Sequence, residues 1–437
     1  MEGWKDGRLR VLVALPRPII TLLAEEDGEI VPVARWERAS GASAVPPLRE
    51  TPKLDAVVGA LQDRPVCLTL LRQATVEALQ DALRDPPHVF VLDTHGDEDG
   101  LLLFEGPCGE TNPLPAAELG DMLARRGVRL AVLSACYSEV AAQAVCQAGV
   151  PLAVGMTESI YEDTAAAYLA AFLGALAGGD TPKDAHQDGL TRLRTRLGRR
   201  PAEAELPCLL VAGTGQPLAT GLSGPFENTT PPLPQPEPEL PLVQLFGREL
   251  DQVLVQRLLL QGNGRLVTLT GAGGIGKTVL ARAVAHWTWQ RNLFPGGVYF
   301  ASLETLAAEE TVAGRLMGQL GLVPGEKETP EDALVKALGG SAPALLVADN
   351  CETAGLQSGL EVLTRLRGRC PRLYVLTTAL HSLELAGAVP YPLPPLALND
   401  AVDMFLDRAG RPARDKERPV VEAICEKLDR VPLHIEL

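Results

Sequence analysis

Gly271-Ala272-Gly273-Gly274-Ile275-Gly276-Lys277-Thr278 follows directly on the apolar run Arg265-Leu266-Val267-Thr268-Leu269-Thr270. The octapeptide satisfies G-x-x-x-x-G-K-[ST] without a mismatch. The strand-like segment before it and the helix-forming Val279-Leu280-Ala281-Arg282-Ala283-Val284-Ala285 after it supply the strand–loop–helix context this pattern needs. Gly271, Gly273, Gly274 and Gly276 let successive backbone N–H groups turn inward around a phosphate, and a helix N-terminus behind them favours its negative charge. In this pattern Lys277 reaches the outer phosphates and the Thr278 hydroxyl ligates Mg²⁺. The stretch therefore predicts an α/β nucleotide fold in the second half of the chain. It begins after residue 270, so a second module must occupy what lies upstream.

The 437 residues suggest about three domains at roughly 150 residues each. An apolar share of 46% is ample for large cores, and only 4% is aromatic, so Leu, Val and Ala must build them. A net charge of −15 argues against broad affinity for nucleic acid. The one basic cluster, Arg192, Arg194, Arg196, Arg199 and Arg200, suits a solvated helix C-terminus. The eight cysteines form no C-x-x-C pair, so neither a zinc site nor a disulfide framework is expected. Met1 to Arg10 lacks the apolar core of a signal peptide, and no apolar run reaches the roughly 18 residues that span a bilayer. A cytoplasmic protein with reduced thiols and no membrane partner is expected.

The proline-dense stretch 221–241 reads as an extended, semi-rigid spacer that cannot pack a core. Ahead of it, Leu9 to Leu15, Val89 to Leu92, Arg129 to Leu133 and Leu152 to Gly155 read as strands. Thr21 to Val33 reads as a hairpin around Asp27-Gly28. Val76 to Arg84, Ala116 to Arg125, Val140 to Gln147 and Glu162 to Gly178 read as helices. Strands without polar faces that alternate with helices predict a mostly parallel sheet covered on both sides. After the spacer, strands at Val267 to Thr270, Val298 to Phe300, Ala344 to Ala348 and Leu373 to Thr377 repeat the rhythm. From Asn399, a good helix cap, the pattern turns helical. The boundaries expected are a first domain over 1–220, the spacer over 221–241, a P-loop α/β domain over 242–395 and a helical subdomain over 396–437. The last residues stop inside a helix start, as in a chain cut short.

A phosphate loop needs a metal partner, normally an Asp ending a neighbouring apolar strand; Leu345-Leu346-Val347-Ala348-Asp349 supplies it. Thr278 and Asp349 are thus the expected Mg²⁺ pair. Asn350, a poor base, stands where many such enzymes have a second acid, so weak ATP hydrolysis is expected.

Several segments in order resemble the signalling NTPases called NB-ARC or STAND ATPases, over about residues 242–437. These are Leu245-Phe246-Gly247-Arg248-Glu249, the P-loop, Leu346-Val347-Ala348-Asp349-Asn350-Cys351-Glu352, Pro392-Leu393-Pro394-Pro395-Leu396 with Ala401-Val402-Asp403-Met404-Phe405, and Val431-Pro432-Leu433. The resemblance implies ATP and ADP as ligands, with Gly247, Arg248 and Pro432 cradling adenine and ribose. It also implies self-association on activation, triggered through a sensor in a missing C-terminal region. One departure is plain: the family's sensor strand ends Thr-Ser-Arg, and here it is Thr377-Thr378-Ala379.

Upstream, His95 with Gly96 closes one strand and Cys136 closes another. In a parallel sheet, reactive groups gather at the carboxyl ends of strands, so the two face each other if their strands are neighbours. A free thiol is mostly protonated at neutral pH, and an imidazole can take its proton or hold the thiolate as an ion pair. The N–H groups of Gly96 and Cys136 are candidates for an oxyanion hole. Val91-Leu92-Asp93-Thr94-His95-Gly96, Leu133-Ser134-Ala135-Cys136-Tyr137-Ser138 and Gly149-Val150-Pro151-Leu152-Ala153-Val154-Gly155 resemble CHAT domains, caspase-like peptidases of clan CD, with a core over about 85–195. The resemblance implies a catalytic dyad of His95 and Cys136, and leaves Cys108 and Cys146 as packing residues.

Asp93, Glu158, Glu162 and Asp163 are candidates for a substrate pocket that takes Lys or Arg. The resulting expectation is a nucleotide-regulated cysteine peptidase of a bacterial signalling or antiviral defence system, acting on a protein substrate. The alternative is a non-catalytic scaffold switched by ATP.

Overall fold

The computed structural model describes residues 7–21, 23–26, 29–32, 43–44, 50–96, 100–196, 201–211, 218, 221–235, 237–238, 245–262, 264–304, 310–352, 357–410 and 417–437. The chain divides into two compact units that meet in sequence at Pro231–Pro232. In order, the elements before that point are β1 (Leu9–Ala14), β2 (Ile20–Thr21), β3 (Leu23–Glu26), β4 (Glu29–Pro32), β5 (Ser43–Ala44), α1 (Glu50–Leu61), β6 (Val66–Leu71), α2 (Val76–Ala82), β7 (Val89–Asp93), β8 (Leu101–Glu105) and β9 (Thr111–Pro115). They continue with α3 (Ala116–Arg125), β10 (Leu130–Ser134), α4 (Glu139–Gln147), β11 (Leu152–Met156), α5 (Glu162–Ala177), α6 (Pro182–Arg196), a 3₁₀ turn (Pro201–Glu205), β12 (Pro207–Val211) and β13 (Glu227–Asn228).

The first unit is built on a seven-stranded sheet in the order β12-β11-β10-β7-β1-β6-β13, parallel except where β12 meets β11. Its central strands β7, β10 and β11 are buried on both faces because both faces are covered, as a parallel sheet requires. Leu9, Val11 and Val13 of β1 point into one core with Val57, Leu61, Tyr168 and Phe172 of α1 and α5. Leu12 and Ala14 point into the other, with Leu79, Leu119 and Val145 of α2, α3 and α4. The hairpin expected around residue 27 is present as β3 and β4, paired Leu23 to Pro32 through Glu26 to Glu29; its turn residues, Asp27 and Gly28, lie outside the described residues. So do Arg199 and Arg200.

The spacer reading needs correction. Glu227 and Asn228 pair in parallel with Cys67 and Leu68 of β6. The Thr230 hydroxyl accepts the Leu70 N–H at 2.8 Å, and Phe226 packs against the first core. Farther on, Trp289 donates its indole N–H to the Pro234 carbonyl at 2.9 Å, within the second unit. The Glu-Asn-Thr-Thr segment between the prolines keeps its backbone donors and acceptors, so it can close an exposed sheet edge.

The second unit contains α7 (Glu249–Leu260), β14 (Leu266–Thr270), α8 (Lys277–Gln290), β15 (Val298–Ser302), α9 (Val312–Gln319), α10 (Pro330–Leu338), β16 (Ala344–Asp349), α11 (Gln357–Arg369), β17 (Leu373–Ala379), β18 (Val389–Pro392), α12 (Leu398–Arg408), α13 (Arg418–Lys427) and α14 (Pro432–Glu436). Its five strands are all parallel, in the order β15-β16-β17-β14-β18. Pro390 and Pro392 are tolerated because β18 is an edge strand. A small apolar cluster of Leu396, Val402, Met404, Val421 and Ile435 holds the three last helices together. Asn399 is not the cap of α12: Ala397 is, in extended conformation, and the Asn399 amide oxygen instead accepts from Arg418 at 3.0 Å. Among the described residues no helix is long and apolar enough to cross a membrane.

Candidate active site and nucleotide loop

β7 and β10 are direct parallel neighbours, with Asp93 opposite Ser134. His95 and Cys136 each lie two residues beyond that pair, so both follow the carboxyl ends of adjacent strands at the same level. A Cβ placed on Gly96 would stand 3.0 Å from the Cys136 carbonyl oxygen and 3.2 Å from the Ala135 Cβ; the two loops touch there, and only glycine fits without a shift.

The His95 loop is pinned from the far side. Leu103 of β8 donates its N–H to the His95 carbonyl at 3.2 Å, and its own carbonyl accepts from the Thr94 hydroxyl. Gly96 itself bridges Leu102 in the antiparallel sense. The thiol turn is pinned by Ser138. Its hydroxyl lies 2.8 Å from the Leu133 carbonyl and 2.7 Å from that of Ala135, and accepts the Met156 N–H at 3.0 Å. Between them, Tyr137 is held at φ 52°, a left-handed conformation that costs a non-glycine residue about 1–3 kcal/mol. Ser138 is 1% exposed, while Cys136 remains accessible. Strain held by buried hydrogen bonds beside an accessible thiol matches the usual location of such strain, at sites that act on ligands.

The substrate-pocket candidates separate in space. The Glu158 carbonyl accepts the Tyr137 N–H at 3.4 Å, which brings its loop against the thiol turn, and the neighbouring Ser159 hydroxyl stands 3.4 Å from the Cys136 sulfur. Glu162 and Asp163 lie in the first turn of α5, where carboxylates suit the helix dipole. Asp93 must be withdrawn as a pocket acid. It is 1% exposed, and its two oxygens are held by Arg17, at 2.7 Å, and by Lys53. Arg17 also donates to the Asp93 carbonyl at 2.7 Å. Burial pushes the Asp93 carboxyl up, but the Lys53 and Arg17 charges outweigh it and hold the group below its ordinary value. Arg17, Lys53 and Ser159 carried no signal in the sequence, since each depends on which loops the sheet order brings together. Cys108 is fully buried and Cys146 is half-buried, its thiol pushed up by burial, as suits packing residues.

In the second unit the phosphate loop joins β14 to α8. Gly271, Gly274 and Gly276 have φ of 149°, 74° and 100°, which explains the glycines. The Lys277 ammonium donates to the Gly271 and Ala272 carbonyls at 2.8 and 2.9 Å. Burial lowers the Lys277 pKa, against the opposing charges of Glu352 and then Asp349. Thr278 donates to the Asp349 carboxylate, at 2.9 and 3.0 Å from its two oxygens. Asp349 does not, however, end a strand beside β14: β17 lies between them. That strand contributes Thr378, whose hydroxyl reaches Asp349 at 2.6 Å and accepts the Asn350 N–H at 2.9 Å. Ala379 is fully buried at the end of β17, opposite Thr270.

Arg248 is 3% exposed, paired with Asp251 at 3.0 Å, and donates to the Ile275 carbonyl inside the loop at 2.9 Å. Its Nε is buried with no hydrogen-bond partner. Gly247, at φ 60°, lies where any side chain would overlap Asp400. The last helix also meets the loop. The Leu433 N–H donates to the Gly274 carbonyl at 3.2 Å, and the Pro432 ring lies 4.0 Å from where a Gly276 Cβ would be. Arg248 and Pro432 therefore lie at the phosphate loop, and Gly247 directly precedes Arg248. These residues fit a nucleotide. The features that fit one are the positive-φ glycines, the orphaned buried Nε of Arg248 and the Thr278–Asp349 pair. No cluster of three or more His, Cys, Asp or Glu side chains that could hold a metal occurs among the described residues.

The molecule thus combines a mainly parallel sheet covered by helices with a second α/β unit built around the phosphate-loop sequence. The family model of the CHAT domain matches residues 25–205. An uncharacterized protein of Mycobacterium tuberculosis is 36% identical over 202 residues, 45% of this chain and 50% of its own. The regulatory protein AfsR of Streptomyces coelicolor is 29% identical over 203 residues, 44% of this chain and 20% of its own. The chain thus spans half or less of the curated relatives it matches. Among solved structures, a STAND protein with a tetratricopeptide repeat sensor from Pyrococcus horikoshii aligns at 14% identity and a TM-score of 0.30, covering 46% of this chain and 30% of that one. DnaA of Aquifex aeolicus bound to AMPPCP aligns at 16% and 0.31, covering 45% and 61%.

Proposed function

We propose that this protein is a cysteine endopeptidase whose His95–Cys136 dyad is governed by ATP or ADP bound at the Gly271–Thr278 loop. The observation that carries the reading is the equal offset of His95 and Cys136 beyond the paired Asp93 and Ser134 on adjacent parallel strands. The CHAT match over 25–205 supports a peptidase-like module.

In this reading His95 takes the Cys136 proton. The sulfur then bonds to the carbonyl carbon of a peptide while the Gly96 and Cys136 N–H groups face the developing oxyanion. Collapse breaks the C–N bond as His95 returns the proton to the leaving amine. A water molecule, deprotonated by His95, then hydrolyses the thioester and releases the thiol. Ser159 holds the sulfur in place, and Glu158, beside the thiol turn, is the remaining acid placed to meet a basic substrate side chain.

The nucleotide would be held by Gly247, Arg248, the loop and Pro432, with Mg²⁺ on Thr278 and Asp349; the unpartnered Nε of Arg248 is a donor open to it. Slow hydrolysis, exchange of ADP for ATP on an unidentified trigger, and self-association complete the cycle, in a signalling or defence role with a protein as target.

Cys136→Ala should abolish cleavage of a peptide library while leaving the affinity for a fluorescent ATP analogue within about twofold of wild type. Cleavage that survives the substitution removes the dyad from the reading. A wild-type chain inert toward peptides and electrophilic probes with ATP bound leaves a scaffold instead.

A further inference from the structure

Just after β16 the second unit carries one acid, Glu352, for which the nucleotide reading has no role so far. Asp349 is fully engaged: Thr278, Thr378 and the Asn350 amide all donate to it, the last at 3.3 Å. Asn350 has φ 59°, and this left-handed step turns the chain sharply at the end of β16. The turn is locked by the Cys351 N–H, which donates to the Thr378 carbonyl of β17 at 2.8 Å. Since β17 separates β16 from the phosphate-loop strand, this bond sets Cys351, the residue before Glu352, against β17 on the loop's side of β16. There the Glu352 carboxylate comes within electrostatic reach of Lys277. Its Oε2 is buried and has no hydrogen-bond partner.

A buried carboxylate oxygen without a donor costs on the order of 1–3 kcal/mol or more. Such groups persist where water, an ion or a ligand completes them. The Lys277 ammonium does not complete this one; it is bonded to Gly271 and Ala272. Asn350, adjacent to the metal-binding Asp, cannot accept a proton from water, whereas Glu352 can.

We propose that Glu352 is the group that orients and deprotonates the water attacking ATP at this loop, the acid standing two residues beyond Asn350, after the left-handed turn there. The inference rests on the nucleotide reading of the second unit and names the residue that sets its hydrolysis step. The water oxygen bonds to the γ-phosphorus, and the bond from that phosphorus to the β,γ-bridging oxygen breaks. The electron pair stays on the ADP β-phosphate, and the water proton passes to Glu352 and then to solvent.

The test uses the full chain with Mg²⁺ and ATP. Glu352→Gln keeps the shape and removes the base. Turnover should fall about a hundredfold or more, the usual range for loss of a positioned base. Affinity for ATP, measured by calorimetry, should stay within about threefold, and the nucleotide co-purifying with the protein should change from ADP to ATP. Turnover within about threefold of wild type overturns the proposal. So does an equal loss of affinity and turnover, which would make Glu352 a holder of Lys277. If the wild-type chain binds no ATP, the nucleotide reading itself fails and this inference with it; if it binds ATP without hydrolysing it, the inference alone fails.

Discussion

A carboxylate that is 1% exposed needs compensation, and Asp93 receives it from two cations, Arg17 and Lys53. Removing one member of a buried ion pair typically costs about 3–5 kcal/mol, because the remaining charge is left uncompensated. Asp93→Asn leaves two such charges, so a loss at least in that range is expected at neutral pH. The pH dependence has a definite sign. Burial raises the carboxyl, the Lys53 and Arg17 charges more than offset it, and the folded group lies below its ordinary 3.8. The stabilisation is therefore complete above about pH 4 and is lost as the pH falls through the depressed folded value. Melting curves from pH 7 to pH 2 should show the gap between wild type and Asp93→Asn narrowing only below about pH 4. A gap that stays constant to pH 2 would mean Asp93 contributes packing and no charge. Sequence proximity to His95 made Asp93 look like a pocket residue. Only the strand order, which sets β1 against β7, puts Arg17 on its other side.

At the level of elements, α14 meets the phosphate loop directly. Gly274 has φ 74°, and a Cβ on it would stand 2.6 Å from the Leu433 Cβ. Gly274→Ala must therefore both accept about 1–3 kcal/mol of backbone strain and push the last helix away. ATP affinity measured by calorimetry should drop at least about tenfold, and a fragment ending before Pro432 should lose less from the same substitution. An equal loss in both would assign the effect to the loop alone.

The loop itself was fully legible in the sequence, because its chemistry is contiguous: eight residues carry the glycines, the Lys and the Thr. The apolar strands were legible too, since a sheet buried on both faces leaves unbroken apolar runs such as Val89 to Leu92. What the sequence hid is long-range. Thr378 reaches Asp349 because β17 is interposed, and Ser159 meets Cys136 because its loop folds over the thiol turn. β6 and its edge partner β13 were missed for a local reason. Val66 to Leu71 includes Cys and Thr, which blurs the apolar run, and Glu227–Asn228 sits among prolines, whose composition masks a two-residue pairing.

On the scale of the whole molecule, each unit has its own cores: the two around β1 in the first, and three in the second around β16, α8 and α12. Separate cores make separate cooperative transitions the expectation in calorimetry. Ligands should then act on one transition each. ATP at about 100 times its Kd adds about 2.7 kcal/mol to whichever unit binds it. For a unit of about 200 residues, each kcal/mol is worth roughly 2–4 °C. The second unit's transition should therefore rise by several degrees with Mg²⁺ and ATP, and the first should not move. Asp93→Asn should lower the first and leave the second in place, and that reciprocal pattern would assign the two transitions without truncating the chain. Should ATP raise both transitions together, or only a single transition appear, the units would be coupled in stability.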